Sequence, residues 1–123
     1  MGLSTHVLDT MHGTPAAGMT VALYEVGAGE EGEAGAATLV KRFVLNADGR
    51  SPDGPLYADA ALKRGRYRLA FEVAAYFRAR GVDLPEPPFL DRVTLDFGIA
   101  QPGQHYHVPL LVSPWSYSTY RGS

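Results

Sequence analysis

The sequence predicts an all-β fold, a β-sandwich of seven or eight strands with one short helix. Three observations carry that prediction. Short runs alternate apolar with polar residues, the period of a strand with one buried face. Glycine and proline, 14 and 9 of the 123 residues, punctuate those runs at regular spacing. One short stretch, residues 74–80, has helix-forming composition and interrupts the strands. With 46% hydrophobic residues the chain is large enough to bury its own core, and residues 1–123 read as a single domain.

Residues 3–8 form a first strand in which His6 shares its side with Ser4 and Leu8, opposite Leu3, Thr5 and Val7. Residues 11–18 are loop, with two glycines and a proline. Residues 19–26 are apolar on both faces, which places the second strand centrally. The acidic, glycine-rich residues 27–37 read as an exposed hairpin loop, and residues 39–45 as a third strand. Asp48-Gly49 signals a turn that projects Arg50 at a strand end, before loop residues 51–55.

In residues 67–73 the alternation puts Tyr67, Leu69, Phe71 and Val73 inward and Arg68, Ala70 and Glu72 outward. The helix at 74–80 ends at Gly81, a C-cap signal. Residues 84–88, with three prolines, exclude regular structure. Val93, Leu95 and Phe97 mark the buried side of a further strand. Tyr106, Val108, Leu110 and Val112 form the core side of the next, leaving His105, His107, Pro109 and Leu111 on the other. After Ser113-Pro114 the alternation resumes, with Trp115, Tyr117 and Thr119 on one side and Ser116, Ser118 and Tyr120 on the other.

A formal charge of −2 gives no reason to expect nucleic acid or an anionic membrane as partner. With no cysteine, disulfides, thiolate metal sites and cysteine nucleophiles are excluded. No Gly-x-Ser-x-Gly elbow supports a serine nucleophile, and the glycines at 27, 29, 32 and 35 lie in an acidic segment that would repel phosphate. Without a basic-then-apolar leader or a membrane-length apolar run, the expected location is the cytoplasm.

Four groups carry candidate chemistry: His6, Arg50, the His105/His107 pair, and the tail from Tyr120 to Ser123. Singly, a strand histidine, a turn arginine and a polar tail each have a bland reading as solvated groups. Alternation forces both rings of His-x-His to one side, which is more suggestive. Such a pair could ligate zinc or copper with a third histidine. It could equally do acid–base work, taking a proton from water while an arginine offsets charge on a carbonyl oxygen.

Leu3-Ser-Thr-His-Val-Leu-Asp9, Gly13-Thr-Pro-Ala16, Asp48-Gly-Arg50, His105-Tyr-His-Val-Pro-Leu-Leu111, Ser113-Pro114 and Tyr117-Ser-Thr-Tyr-Arg-Gly-Ser123 together closely resemble the 5-hydroxyisourate hydrolases. These are the transthyretin-related enzymes of urate breakdown. The resemblance spans the chain from Leu3 to Ser123, and the terminal Tyr-Arg-Gly-Ser is its most specific part. Hormone-carrying transthyretins share the fold and the Ser-Pro-aromatic-Ser-Tyr-Ser-Thr stretch but lack the histidines and this ending. The resemblance implies a transthyretin-like (prealbumin-like) sandwich assembled as a homotetramer, a dimer of dimers whose facing sheets enclose a channel holding the sites. It implies hydrolytic opening of the cyclic amide of 5-hydroxyisourate, a small-molecule substrate, with no metal or organic cofactor.

Carried over, the family's site maps onto His6, Arg50, His107, Tyr120 and Ser123, with His105 as a flanking group that orients or polarises its neighbour. The runner-up is a transthyretin-like carrier of a small aromatic ligand in the same channel. Departures from the family pattern are a longer, more acidic loop at 27–37 and Trp115 in place of a more usual tyrosine. Neither touches the site residues.

Overall fold

In a computed structural model that describes residues 2–27, 36–58 and 61–122, two sheets pack face to face around one apolar core. The first contains β1 (Gly2–Asp9), β2 (Thr14–Pro15), β5 (Tyr57–Ala58), β8 (Tyr106–Val112) and β9 (Tyr117–Thr119), in the order β2-β1-β8-β9, with β5 also on β1. The second runs β4-β3-β6-β7, from β4 (Ala37–Val44), β3 (Thr20–Val26), β6 (Gly65–Glu72) and β7 (Arg92–Ile99). The transthyretin-like sandwich expected from sequence is therefore present. Seven of the strands described are three residues or longer, and β2 and β5 have two residues each. These two were not anticipated: a two-residue strand is too short to show alternation, and each forms only by pairing with the edge of β1.

The alternation does what it predicts. Leu3, Val7, Leu110 and Val112 are fully buried, while Ser4, His6, Leu8, His105, His107 and Leu111 turn the other way and are half-buried. β3 lies inside its sheet between β4 and β6, as its two apolar faces require. Burial of the inward set, Phe71 and Leu69 among them, supplies the main stabilising term, about 1.5–3 kcal/mol for each large side chain.

Two expectations are corrected. Val73 is not the last inward strand residue but opens α1 (Val73–Ala79), whose buried face is Val73, Ala74, Tyr76 and Phe77. One apolar residue can meet either demand, and the following alanines extend the helix back to it. Ala70, expected outward, is buried: a single methyl group between Ala22 of β3 and Thr94 of β7 has little surface to expose. The helix stops as anticipated. Gly81 has φ +84°, its N–H bonds to Arg78 O (2.9 Å), and the Val82 N–H to Phe77 O (3.0 Å), a Schellman ending.

Asp9, buried at the end of β1, ties the sheet to the helix. Its carboxylate accepts from the His12 N–H (3.0 Å), His12 Nδ1 (2.6 Å) and the Tyr76 hydroxyl (2.8 Å). Burial pushes its pKa up, and these hydrogen bonds outweigh that and hold it below the ordinary carboxylate value.

Candidate active site

β1 and β8 run parallel, pairing Ser4 with His107, His6 with Pro109 and Leu8 with Leu111. That register brings the outward side chains of both strands onto one face. The tail extends it. Leu110 pairs with Thr119 and, beyond the unpaired Tyr120 and Arg121, His107 bridges to Gly122 in the same antiparallel register, which sets Tyr120 across from Pro109. Two rows result, Ser4–His107–Gly122 and His6–Pro109–Tyr120, with adjacent strands about 4.8 Å apart.

Arg50 reaches this face through its turn. The Asn46 side-chain oxygen accepts from the N–H groups of Asp48 (2.9 Å) and Arg50 (3.1 Å), and Gly49 takes φ +73°. Gly49 O accepts from the Val7 N–H (2.9 Å), so the turn docks on β1 and Arg50 bridges to His6. No other residue fits at 49, since a β-carbon there would lie 2.5 Å from Val7 O. The tail is held as firmly. Gly122 N–H bonds to His107 O (2.7 Å) and His107 N–H to Gly122 O (3.3 Å), and a β-carbon at 122 would stand 3.0 Å from the His107 ring.

The pKa of His6 is lowered by burial first and the Arg50 charge second, with partial compensation from the Asp48 backbone and carboxylate. That of His107 is lowered by burial, then by Arg50, His6 and His105 in turn. Both rings are therefore neutral near pH 7 and can exchange protons within the field of the Arg50 cation. A cavity of about 460 Å³ opens beside Ser4 and His105, walled also by Asn46, Arg50, Ser51 and Pro55; His6 and His107 are not among its lining residues. Among the described residues, no group of three or more His, Asp or Glu is disposed to hold a metal ion.

Of the residues singled out from sequence, the structure gathers His6, Arg50, His105 and His107. Tyr120 shares their face by register, is 60% exposed, and also borders a groove of about 300 Å³ along β7. Ser123 lies outside the described residues, as do positions 28–35 of the acidic loop. Sequence reasoning passed over Ser4, whose hydroxyl lies 2.9 Å from His107 Nδ1 and 3.3 Å from His105 Nε2. It also passed over Asn46 and Gly49 as site residues, and took Gly122 only as part of the candidate tail. Ser4 had a signal, its i, i+2 spacing to His6, and Asn46 another, its place at the head of the Asp-Gly turn.

The HIUase/Transthyretin family model matches residues 3–122. The chain is 53% identical over 121 residues to a 5-hydroxyisourate hydrolase of Pseudomonas aeruginosa, covering 98% of this chain and 90% of the relative. It is 51% identical to one of Ralstonia nicotianae, covering 98% and 97%. Among solved structures, it overlays (S)-allantoin synthase with a TM-score of 0.88 at 46% identity, covering 99% of this chain but only 43% of that one. It matches Klebsiella pneumoniae 5-hydroxyisourate hydrolase at 0.74 and 39% identity, over the full length of both. Sea bream transthyretin, solved with thyroxine, matches at 0.81 and 28%, covering 99% and 95%.

Proposed function

The chain belongs to the HIUase/Transthyretin family, and from that premise we propose that it is a hydrolase opening the cyclic amide of 5-hydroxyisourate. Water attacks a carbonyl of the six-membered ring. The new C–O bond forms, the ring C–N bond breaks, and the departing nitrogen takes up a proton equivalent to the one water lost. The product is 2-oxo-4-hydroxy-4-carboxy-5-ureidoimidazoline.

The observation that carries this reading is that His6, bridged through its backbone to Arg50, and His107 share one sheet face, where burial and the Arg50 charge lower the pKa of both rings. One neutral ring, His6 or His107, takes the proton from water, and the other orients the water or the departing nitrogen. Arg50 binds the electron-rich ring and offsets charge growing on the carbonyl oxygen, where a planar fork of donors suits better than an ammonium. Tyr120 and Ser123 hydrogen-bond the substrate's ring donors and acceptors, while His105 is the flanking group that orients its neighbour from behind. A polar His, Arg and Tyr lining suits a polar heterocycle and disfavours the carrier alternative, as does the higher identity to the hydrolases than to the transthyretin.

Assembly belongs to the same proposal. A homotetramer, a dimer of dimers, would cover the histidine face, where Leu8 and Leu111 are half-buried and Tyr120 is exposed in one subunit. A cytoplasmic location rests on the sequence expectation and is testable by fractionation; no helix among the described residues is long and apolar enough to cross a membrane.

The direct test follows the absorbance decay of freshly generated 5-hydroxyisourate. His107→Ala and Arg50→Ala should each lower turnover by about a hundredfold or more while circular dichroism shows a folded sandwich. Wild-type rates in both variants would overturn the site. Saturable binding of the compound without accelerated decay would make the protein a carrier.

A further inference from the structure

The Ser4 hydroxyl stands between two imidazoles, at 2.9 Å from His107 Nδ1 and 3.3 Å from His105 Nε2. It has one proton to donate, so it cannot donate to both. A neutral imidazole likewise has one N–H and one bare nitrogen. Choosing the tautomer of one ring therefore constrains the other through the hydroxyl.

His105 makes the choice. Its Nδ1 is buried and has no hydrogen-bond partner. A buried N–H without an acceptor is rarer than an under-used acceptor, so Nδ1 is the bare nitrogen and the His105 proton sits on Nε2. From there it donates to Ser4, and Ser4 donates to His107 Nδ1. The reverse chain would strand an N–H at His105 Nδ1. An arrangement in which Ser4 accepts from both rings leaves its own proton with no acceptor among the described residues. The order His105 to Ser4 to His107 pairs every proton at these contacts within the protein, whereas the double-acceptor arrangement turns the Ser4 proton out to the cavity.

We propose that Ser4 is a positioning residue that, with His105 behind it, holds His107 in the tautomer protonated on Nε2. This rests on the hydrolase reading and assigns the roles left open there. His107 enters the site as a hydrogen-bond donor through Nε2–H, aimed at oxygen, and keeps its proton throughout. His6 is the nitrogen that takes the proton from the attacking water and delivers it to the departing ring nitrogen as the C–N bond breaks. The balance closes on one water consumed, with both rings neutral before and after.

The test is a long-range ¹H–¹⁵N correlation spectrum of the ring nitrogens in ¹⁵N-histidine-labelled protein at pH 7.5, read beside turnover. The wild type should show His107 with a bare Nδ1 and a protonated Nε2. Ser4→Ala should mix the two tautomers and lower kcat by about tenfold or more with little change in KM, as losing the partner that orients a histidine does elsewhere. Ser4→Thr, which keeps the hydroxyl, should restore both. A protonated His107 Nδ1 in the wild type overturns the proposal without any variant, and so does an unaltered tautomer in Ser4→Ala. If the wild type does not hydrolyse 5-hydroxyisourate at all, the hydrolase reading fails, while the spectrum still decides the role of Ser4.

Discussion

A guanidinium beside two half-buried imidazoles sets the pH range in which they can work. Burial, then the Arg50 charge, lowers both histidines below the ordinary imidazole value. Each ring therefore stays neutral to lower pH than a free histidine does. kcat/KM should hold steady near neutrality and fall on a limb more acidic than a free histidine would give. Arg50→Gln removes one of the causes, so besides its loss in rate it should move that limb back toward 6.5; an unmoved limb would mean that the cation does not act on these rings. Stability follows the same linkage. The unfolded chain takes up protons at these rings near 6.5 and the folded chain only below it, so stability declines as pH falls through that window and is unaffected above it. Acid-side thermal melts of His6→Gln against wild type would read this as a smaller loss in the variant.

Two glycines decide whether the elements meet at all. Gly49 carries φ +73° and lies against the β1 backbone, so Gly49→Ala forces the Asn46–Arg50 turn off Val7 O. The strain is about 1–3 kcal/mol, and Arg50 leaves its bridge to His6 with it. We expect a lowered Tm together with a loss of turnover close to that of Arg50→Ala. Gly122→Ala makes a different prediction. Its β-carbon presses on the His107 ring from 3.0 Å without forbidding the backbone conformation, so kcat should fall with little change in Tm. Equal loss of stability in both variants would contradict the division between a turn that holds the fold and a tail that holds a ring.

The whole molecule is a sandwich with one sheet face left to polar groups. β1 and β8 bury one set of side chains in the core and present Ser4, His6, His105 and His107 on the reverse. A face carrying both half-buried leucines and neutral imidazoles suits an enclosed, water-limited site, where a guanidinium acts more strongly on developing charge. Light scattering should give a solution mass four times that of the chain. Leu111→Glu, on the same face in the row next to His6 and Pro109, should dissociate the assembly and lower activity with it. A wild-type monomer with full activity would remove the need for a covered channel.

What was legible in the chain was whatever repeats locally. Alternation placed Tyr106, Val108, Leu110 and Val112 inward and His105 and His107 outward, because successive strand side chains point to opposite faces whatever the fold. Asp48-Gly49 announced a turn, and Gly81 a helix end, because few residues tolerate positive φ. The role of Val73 was ambiguous, since an apolar residue satisfies either the end of a strand or the start of a helix. The two-residue strands left no pattern to read, because they exist only as partners of β1.

By itself, then, the sequence determined which side of each strand faces the core, where the chain turns, and, through its motifs, the family to which it belongs. Tertiary structure alone decided that Ser4 meets His107 across 103 positions, that Arg50 docks on His6, and that Gly122 rests on an imidazole ring. Those contacts depend on the parallel register of β1 with β8 and on the path of the tail. Register is a property of two segments packed together, and neither segment states it alone.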